Sequence, residues 1–202
     1  AGEIKSAFNQ KYYRAKDKTY AGSEQTSLAA ALYFNMVPSK DVKKVAATLA
    51  KVIVRNDGLL DCGVLGAKWI PHALSDNGYA DLAFQISKNT RYPGWGYWME
   101  LGATTLFEDF NMESLDNSRN HMFFGDIVHW CYKDLAGIRP DPYSVGFKHF
   151  YIQPFFPESL EFAEASHDCM YGQIRSEWKR EGEDIGMTIE VPANTTSTVV
   201  LP

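Results

Sequence analysis

Apolar residues recur at helical spacing through the first two thirds of the chain. Ile4, Phe8, Lys11 and Tyr12 begin one stripe, and the Ala/Leu-rich run from Gln25 to Phe34 forms a second, with Ser23 as its capping candidate. The third is the clearest. Val42, Val45, Leu49, Val52 and Ile53 share one face, Ser39 stands after Pro38 as the N-cap, and Asn56-Asp57-Gly58 supplies the stop. Four shorter helical segments follow, from Leu65 to Leu74, Tyr79 to Ile86, Leu101 to Phe107 and His121 to Leu135. Turn clusters at Ser75-Asp76-Asn77-Gly78 and Arg91-Tyr92-Pro93-Gly94 punctuate them, and the rhythm is that of stacked helical hairpins without a strict internal repeat.

The pattern changes at Gly137-Ile138-Arg139-Pro140-Asp141-Pro142, where two closely spaced prolines end any helix and introduce extended chain. Beyond it, short runs rich in β-branched and aromatic residues predict strands at Phe147 to Ile152, Leu160 to Ala165, Gly172 to Lys179, Met187 to Val191 and Thr198 to Leu201. These read as an antiparallel sheet or sandwich.

Composition narrows the function classes. In 202 residues, 45% are hydrophobic and 22% charged, enough to bury a core, so a disordered or low-complexity scaffold is excluded. A net charge of −5 argues against a partner that must be met by a basic face, such as nucleic acid. No apolar run reaches the roughly 18–20 residues of a membrane span, and Ala1-Gly2-Glu3-Ile4-Lys5 does not open a signal peptide. Cys62, Cys131 and Cys169 lack metal-ligand spacing and read as buried free thiols.

The densest candidate chemistry lies in Tyr92 to Thr105, where aromatic rings crowd one carboxylate, Glu100. Desolvation by such rings raises a carboxyl pKa and suits it to proton transfer, while the alternative is that Glu100 caps the helix after it or pairs with an arginine. His121, at the start of its helical segment, is either a site residue or a satisfied structural group. His72, His129, His149 and His167 show no ligand spacing, so no metal site is expected.

Several segments together carry a family likeness: Asp61-Cys62-Gly63-Val64-Leu65-Gly66, the block from Tyr92 to Thr105, Asn120-His121-Met122-Phe123-Phe124-Gly125, Gly146-Phe147-Lys148-His149, Tyr171 to Trp178 and Ile189 to Thr196. In this order the chain resembles the C-terminal half of bacterial α-L-rhamnosidases of glycoside hydrolase family 78. The resemblance implies a mainly α fold with a β-domain: about half the helices of an (α/α)6 toroid in residues 1–140, then an antiparallel β-sandwich in 141–202. It implies inverting hydrolysis of terminal α-L-rhamnosides, with Glu100 as general base, His121 contacting the sugar, and Trp95 and Trp98 as walls of the same pocket. The family's general acid lies in an acidic, tryptophan-containing motif of the toroid's first half, and nothing in residues 1–56 resembles it. The chain is therefore expected to hold the base without the acid and to be inactive alone. Its expected partners are a rhamnose-containing glycan or glycoside, and an N-terminal half or a second copy that covers the apolar edge of a half-toroid. No cofactor is implied, and a periplasmic or secreted location is favoured for the parent enzyme. A module of another class, binding carbohydrate or a partner without catalysis, stays open beside this reading.

Overall fold

A computed structural model describes residues 1–22, 24–111 and 116–201, which form two compact units, Ala1–Ile127 and Val128–Pro202. Ser23, the expected cap, lies outside the described residues.

The first unit is helical. α1 (Gly2–Tyr12) leads into a small hairpin, β1 (Tyr13–Arg14) with β2 (Thr19–Tyr20), and then α2 (Gln25–Tyr33), α3 (Val42–Arg55), α4 (Val64–Ser75) and α5 (Ala80–Ser87). α2 packs on both α3 and α4, and α4 on α5. The predicted stripe of α3 is where the core sits: Val45, Leu49 and Ile53 are fully buried, together with Leu28 of α2 and Ile70 and Leu74 of α4. Ser39 starts a short 3-10 turn, and Asp41 takes the N-cap position of α3.

The sixth helix departs from expectation. Residues 95–100, outside every predicted helix, form α6 (Trp95–Glu100), whereas 101–107, predicted as a helix, is non-helical. Two local causes are visible. Gly94 occupies the N-cap, and Gly102 at φ 76° takes the left-handed conformation that stops the helix, with Ala103 N donating to Trp98 O at 2.9 Å. The last predicted helix is also divided, into a 3-10 turn at Met122–Gly125, α7 (Asp126–Trp130) and a π-turn at Cys131–Leu135.

The second unit holds two three-stranded sheets. β3 (Ile138–Pro140), β4 (His149–Ile152) and β8 (Thr196–Val199) form one, and β5 (Phe162–Cys169), β6 (Gly172–Glu181) and β7 (Asp184–Glu190) an antiparallel meander. The β4–β8 pair is parallel, an exception to the antiparallel pattern. Alternate residues Phe150 and Ile152 enter a core with Ile138 and Ile174, against which Met187 and Ile189 pack. Residues 135–136 are tied to β6, since Trp178 Nε1 donates to Leu135 O at 2.7 Å and Ser176 Oγ to Ala136 O at 2.6 Å. The cysteines are free but not fully buried as expected: Cys62 and Cys169 are half-buried and Cys131 is exposed.

Candidate functional site

Trp95 and Trp98, three residues apart on α6, share a helix face and point into an aromatic cluster. Trp98 lies 4.8 Å from Phe110, 5.2 Å from Phe124 and 5.5 Å from Phe107, ring centre to ring centre, and Phe110 and Phe124 meet at 4.6 Å. Trp95 meets Phe110 and Phe124 edge-on, and its Nε1 donates to Phe124 O at 3.2 Å. Both indoles are buried within this cluster. Burial of this face explains a six-residue helix of low intrinsic propensity, because tertiary packing supplies what the sequence lacks.

The opposite face of α6 meets solvent. Met99 is 75% exposed, and Glu100 beside it ends the helix as an exposed carboxylate. Among the described residues its side chain has neither a hydrogen bond nor an ion pair, so neither a capping contact nor an arginine partner is seen there.

His121 is brought to the same cluster by the turn that follows it. It caps Met122–Gly125, with Nδ1 accepting from Phe123 N at 3.5 Å, and its own N donates to Leu106 O at 2.7 Å. With Nδ1 an acceptor, the neutral ring carries its hydrogen on Nε2, which lies 3.9 Å from Glu108 Oε1. Glu108 is itself placed by a reciprocal pair with Ser118: Ser118 N donates to Glu108 Oε2 at 2.9 Å, and Glu108 N to Ser118 O at 3.0 Å. Below the turn, Asp126 Oδ2 accepts from or pairs with His72 Nε2 at 3.0 Å, and Lys68 reaches Asp126 Oδ1 at 3.2 Å, pinning the segment to α4. His72 is thus a satisfied buried histidine of the fold. In the sequence Glu108 is one of two adjacent acids, and the approach of the 118–121 segment gives it its partners.

A cleft of about 570 Å³ opens beside the aromatic cluster, between the loop that leads into α4 and the loop that leads into α6. Leu60, Asp61, Tyr92, Pro93, Asp109 and Phe110 line it, together with Cys62. Burial pushes the Cys62 thiol up to about 12, with Asp61 adding to the shift, which leaves it protonated and a poor nucleophile at neutral pH. Nothing in the sequence pattern joined these two loops into one cleft.

Comparison with known proteins follows this geometry closely. The profile of the bacterial alpha-L-rhamnosidase 6 hairpin glycosidase domain matches residues 1–135, and that of the bacterial alpha-L-rhamnosidase C-terminal domain matches 137–202. An alpha-L-rhamnosidase of Streptomyces avermitilis is 30% identical over 98% of the chain, and one of Formosa agariphila 32% identical over 98%. The crystal structure of the Streptomyces avermitilis alpha-L-rhamnosidase complexed with L-rhamnose superposes on 100% of the chain with a TM-score of 0.91 at 29% identity. The chain spans about a fifth of the length of these relatives, 20% of the Streptomyces avermitilis protein and 22% of the Formosa agariphila protein.

Proposed function

Because the chain belongs to the bacterial α-L-rhamnosidase family, we propose that it supplies the general-base side of an inverting α-L-rhamnosidase acting on terminal α-L-rhamnosides. The observation that carries the reading is Glu100, an exposed carboxylate without a partner among the described residues, standing at the end of a helix whose other face is locked into an aromatic core. Rigid support with a free reactive group is what a base requires. In this reading Glu100 takes a proton from water as the water attacks the anomeric carbon, and a carboxylic acid from outside these residues protonates the departing oxygen, the two carboxyls standing roughly 6.5–9.5 Å apart. His121 donates from Nε2 to a hydroxyl of the sugar, held in that tautomer by Phe123 N. Trp95 and Trp98 act beneath, by fixing α6.

Hydrolysis of an aryl α-L-rhamnoside tests it. The chain alone is expected to show no turnover, and activity is expected when the remaining part of such an enzyme is supplied, with Glu100→Gln then losing about 100-fold or more, the usual contribution of a positioned base. Robust turnover by these 202 residues alone, abolished by Glu100→Gln, would place the acid within them and overturn that part of the reading. Measurable rhamnose affinity, with no turnover in the reassembled enzyme, would favour a sugar-binding module instead.

A further inference from the structure

We propose that the face of the β3–β4–β8 sheet turned away from the core of its unit is a binding site for a small aromatic carboxylate, a planar ring carrying one negative group. The strand register builds that face. Arg139 of β3 stands directly opposite Tyr151 of β4, and Tyr151 opposite Thr198 of β8. Because side chains alternate along extended chain, Gln153 and Val200, two positions beyond Tyr151 and Thr198, fall on the same side, while Ile138, Phe150 and Ile152 take the other and form the core. Over this face lies a cavity of about 510 Å³, lined by Arg139, Tyr151, Gln153 and Val200. Pro140 and Pro142 flank it, as do His129 of α7 and Lys133 of the π-turn, four residues apart. Every lining residue belongs to the second unit, and the size falls within the roughly 300–1,000 Å³ typical of small-ligand sites.

Charge and apolar surface together select the ligand. Lys133 and Arg139 are sheltered cations, with side chains 20% and 15% exposed, and both face Oδ1 of the fully buried Asp134, at 3.5 Å and 2.6 Å. The Arg139 guanidinium also lies over the Phe155 ring at 5.3 Å, so its position is set before a ligand arrives. Among the described residues no Asp or Glu lines the cavity, so an entering anion meets the two cations, and their shelter from water strengthens the attraction. The remaining lining is ring and aliphatic surface: Tyr151, half-buried and met edge-on by His149 at 5.0 Å, the two prolines, which bring no backbone N–H, and Val200. A planar aromatic ring loses no hydrogen bonds there. A uronate carries the same carboxylate but would strand its ring hydroxyls, since the Gln153 amide and the Tyr151 hydroxyl are the uncharged amide and hydroxyl groups in the lining.

NMR titration of the full chain with trans-cinnamate, methyl cinnamate, methyl β-D-glucuronide and inorganic phosphate, at low and high salt, tests it. Cinnamate is expected to bind about tenfold tighter than each of the other three, to shift the amides of Tyr151, Gln153 and Val200, and to bind more weakly as salt rises. Lys133→Gln and Tyr151→Ala are each expected to weaken cinnamate about tenfold, whereas Tyr151→Phe and Lys179→Gln, a lysine of β6 outside the cavity, leave it unchanged. Unchanged Ile174 and Trp178 signals check that each variant has kept its fold. Methyl cinnamate binding as tightly as cinnamate would mean an apolar groove without charge recognition, and the glucuronide or phosphate doing so would mean a pair of cations without a ring site. Either result overturns the proposal. So does cinnamate affinity that survives both Lys133→Gln and Tyr151→Ala, or the absence of cinnamate binding to the parent chain.

Discussion

Trp98 in the helical unit and Trp178 in the β unit are both fully buried, yet they are satisfied to different degrees. Trp178 Nε1 donates to Leu135 O at 2.7 Å and its ring meets Phe156 edge-on at 5.0 Å, so every polar atom of the indole is accounted for. Trp98 has three aromatic neighbours, but among the described residues its Nε1 has no acceptor. A buried unmet N–H costs about 1–3 kcal/mol. Met99, which precedes Glu100 in sequence, is exposed, as are Met122 and Phe123 after His121. The Trp178 indole is thus held by both packing and a hydrogen bond, whereas Trp98 is held by packing alone at the helix that carries Glu100.

The largest predicted effect is that of Trp178→Ala. Removing a fully buried indole costs about 3–5 kcal/mol through the cavity it leaves, and the orphaned Leu135 carbonyl adds to it. Trp98→Ala creates a similar cavity without a new orphan, so it is expected to cost less than Trp178→Ala. The phenylalanine variants sharpen the contrast. Trp98→Phe discards an N–H that was unmet and is expected to be the milder, whereas Trp178→Phe still strands the carbonyl. Urea unfolding, followed at unchanged m-value, measures each. A greater loss in Trp98→Phe than in Trp178→Phe would show that the Trp98 N–H has a partner, and the contrast between the two indoles would fail.

A second pair compares backbone contacts. At Gly137, φ is 83° and an added Cβ would sit 2.3 Å from Pro154 N, so Gly137→Ala combines strain with collision. Gly96, inside α6, would place a Cβ 2.5 Å from Asn89 O, a collision alone. Both are expected to cost about 1–3 kcal/mol, with Gly137→Ala the worse. Gly96→Ala also pushes α6 from the 88–91 loop and is expected to weaken sugar binding, which Gly137→Ala should leave unchanged.

Legibility in the sequence followed the range of the interactions. α3 could be read because its stripe from Val42 to Ile53 is local, and α2, α4 and α5 because turn residues bound them. α6 was misplaced by one segment: two glycines and four aromatic rings have poor helix propensity, and the helix exists because Trp95 and Trp98 find Phe107, Phe110 and Phe124. The two-residue strands of the first hairpin are too short for alternation to show, and the parallel pairing of β8 with β4 is a long-range choice without a local signal. Glu100 and His121 stand out in the sequence as candidates, from the motifs around them. The burial of the tryptophans, the Glu108 partner of His121 and the cleft were not, since each needs segments distant in sequence to meet.

The smallest expected effect concerns acid. In the helical unit, Lys18 at 2.9 Å holds the Asp41 carboxyl below its ordinary value; in the β unit, Tyr143 N at 2.8 Å and then His149 do the same for Asp141. A carboxyl whose folded pKa is depressed contributes stability that is complete above its unfolded value, near 3.9, and is lost as pH falls through the folded value. Both units should therefore weaken only below about pH 4 from these groups. Asp41→Asn and Asp141→Asn should each be less stable than the parent at pH 7 and converge with it in acid. Salt separates them. The leading partner of Asp41 is an ammonium, so raising ionic strength should shrink the Asp41→Asn difference. The leading partner of Asp141 is a backbone N–H, fixed by the turn and uncharged, so the Asp141→Asn difference should persist in salt. Urea midpoints across pH at low and high salt measure both, and equal salt sensitivity would mean that the two clamps work by the same charge interaction after all.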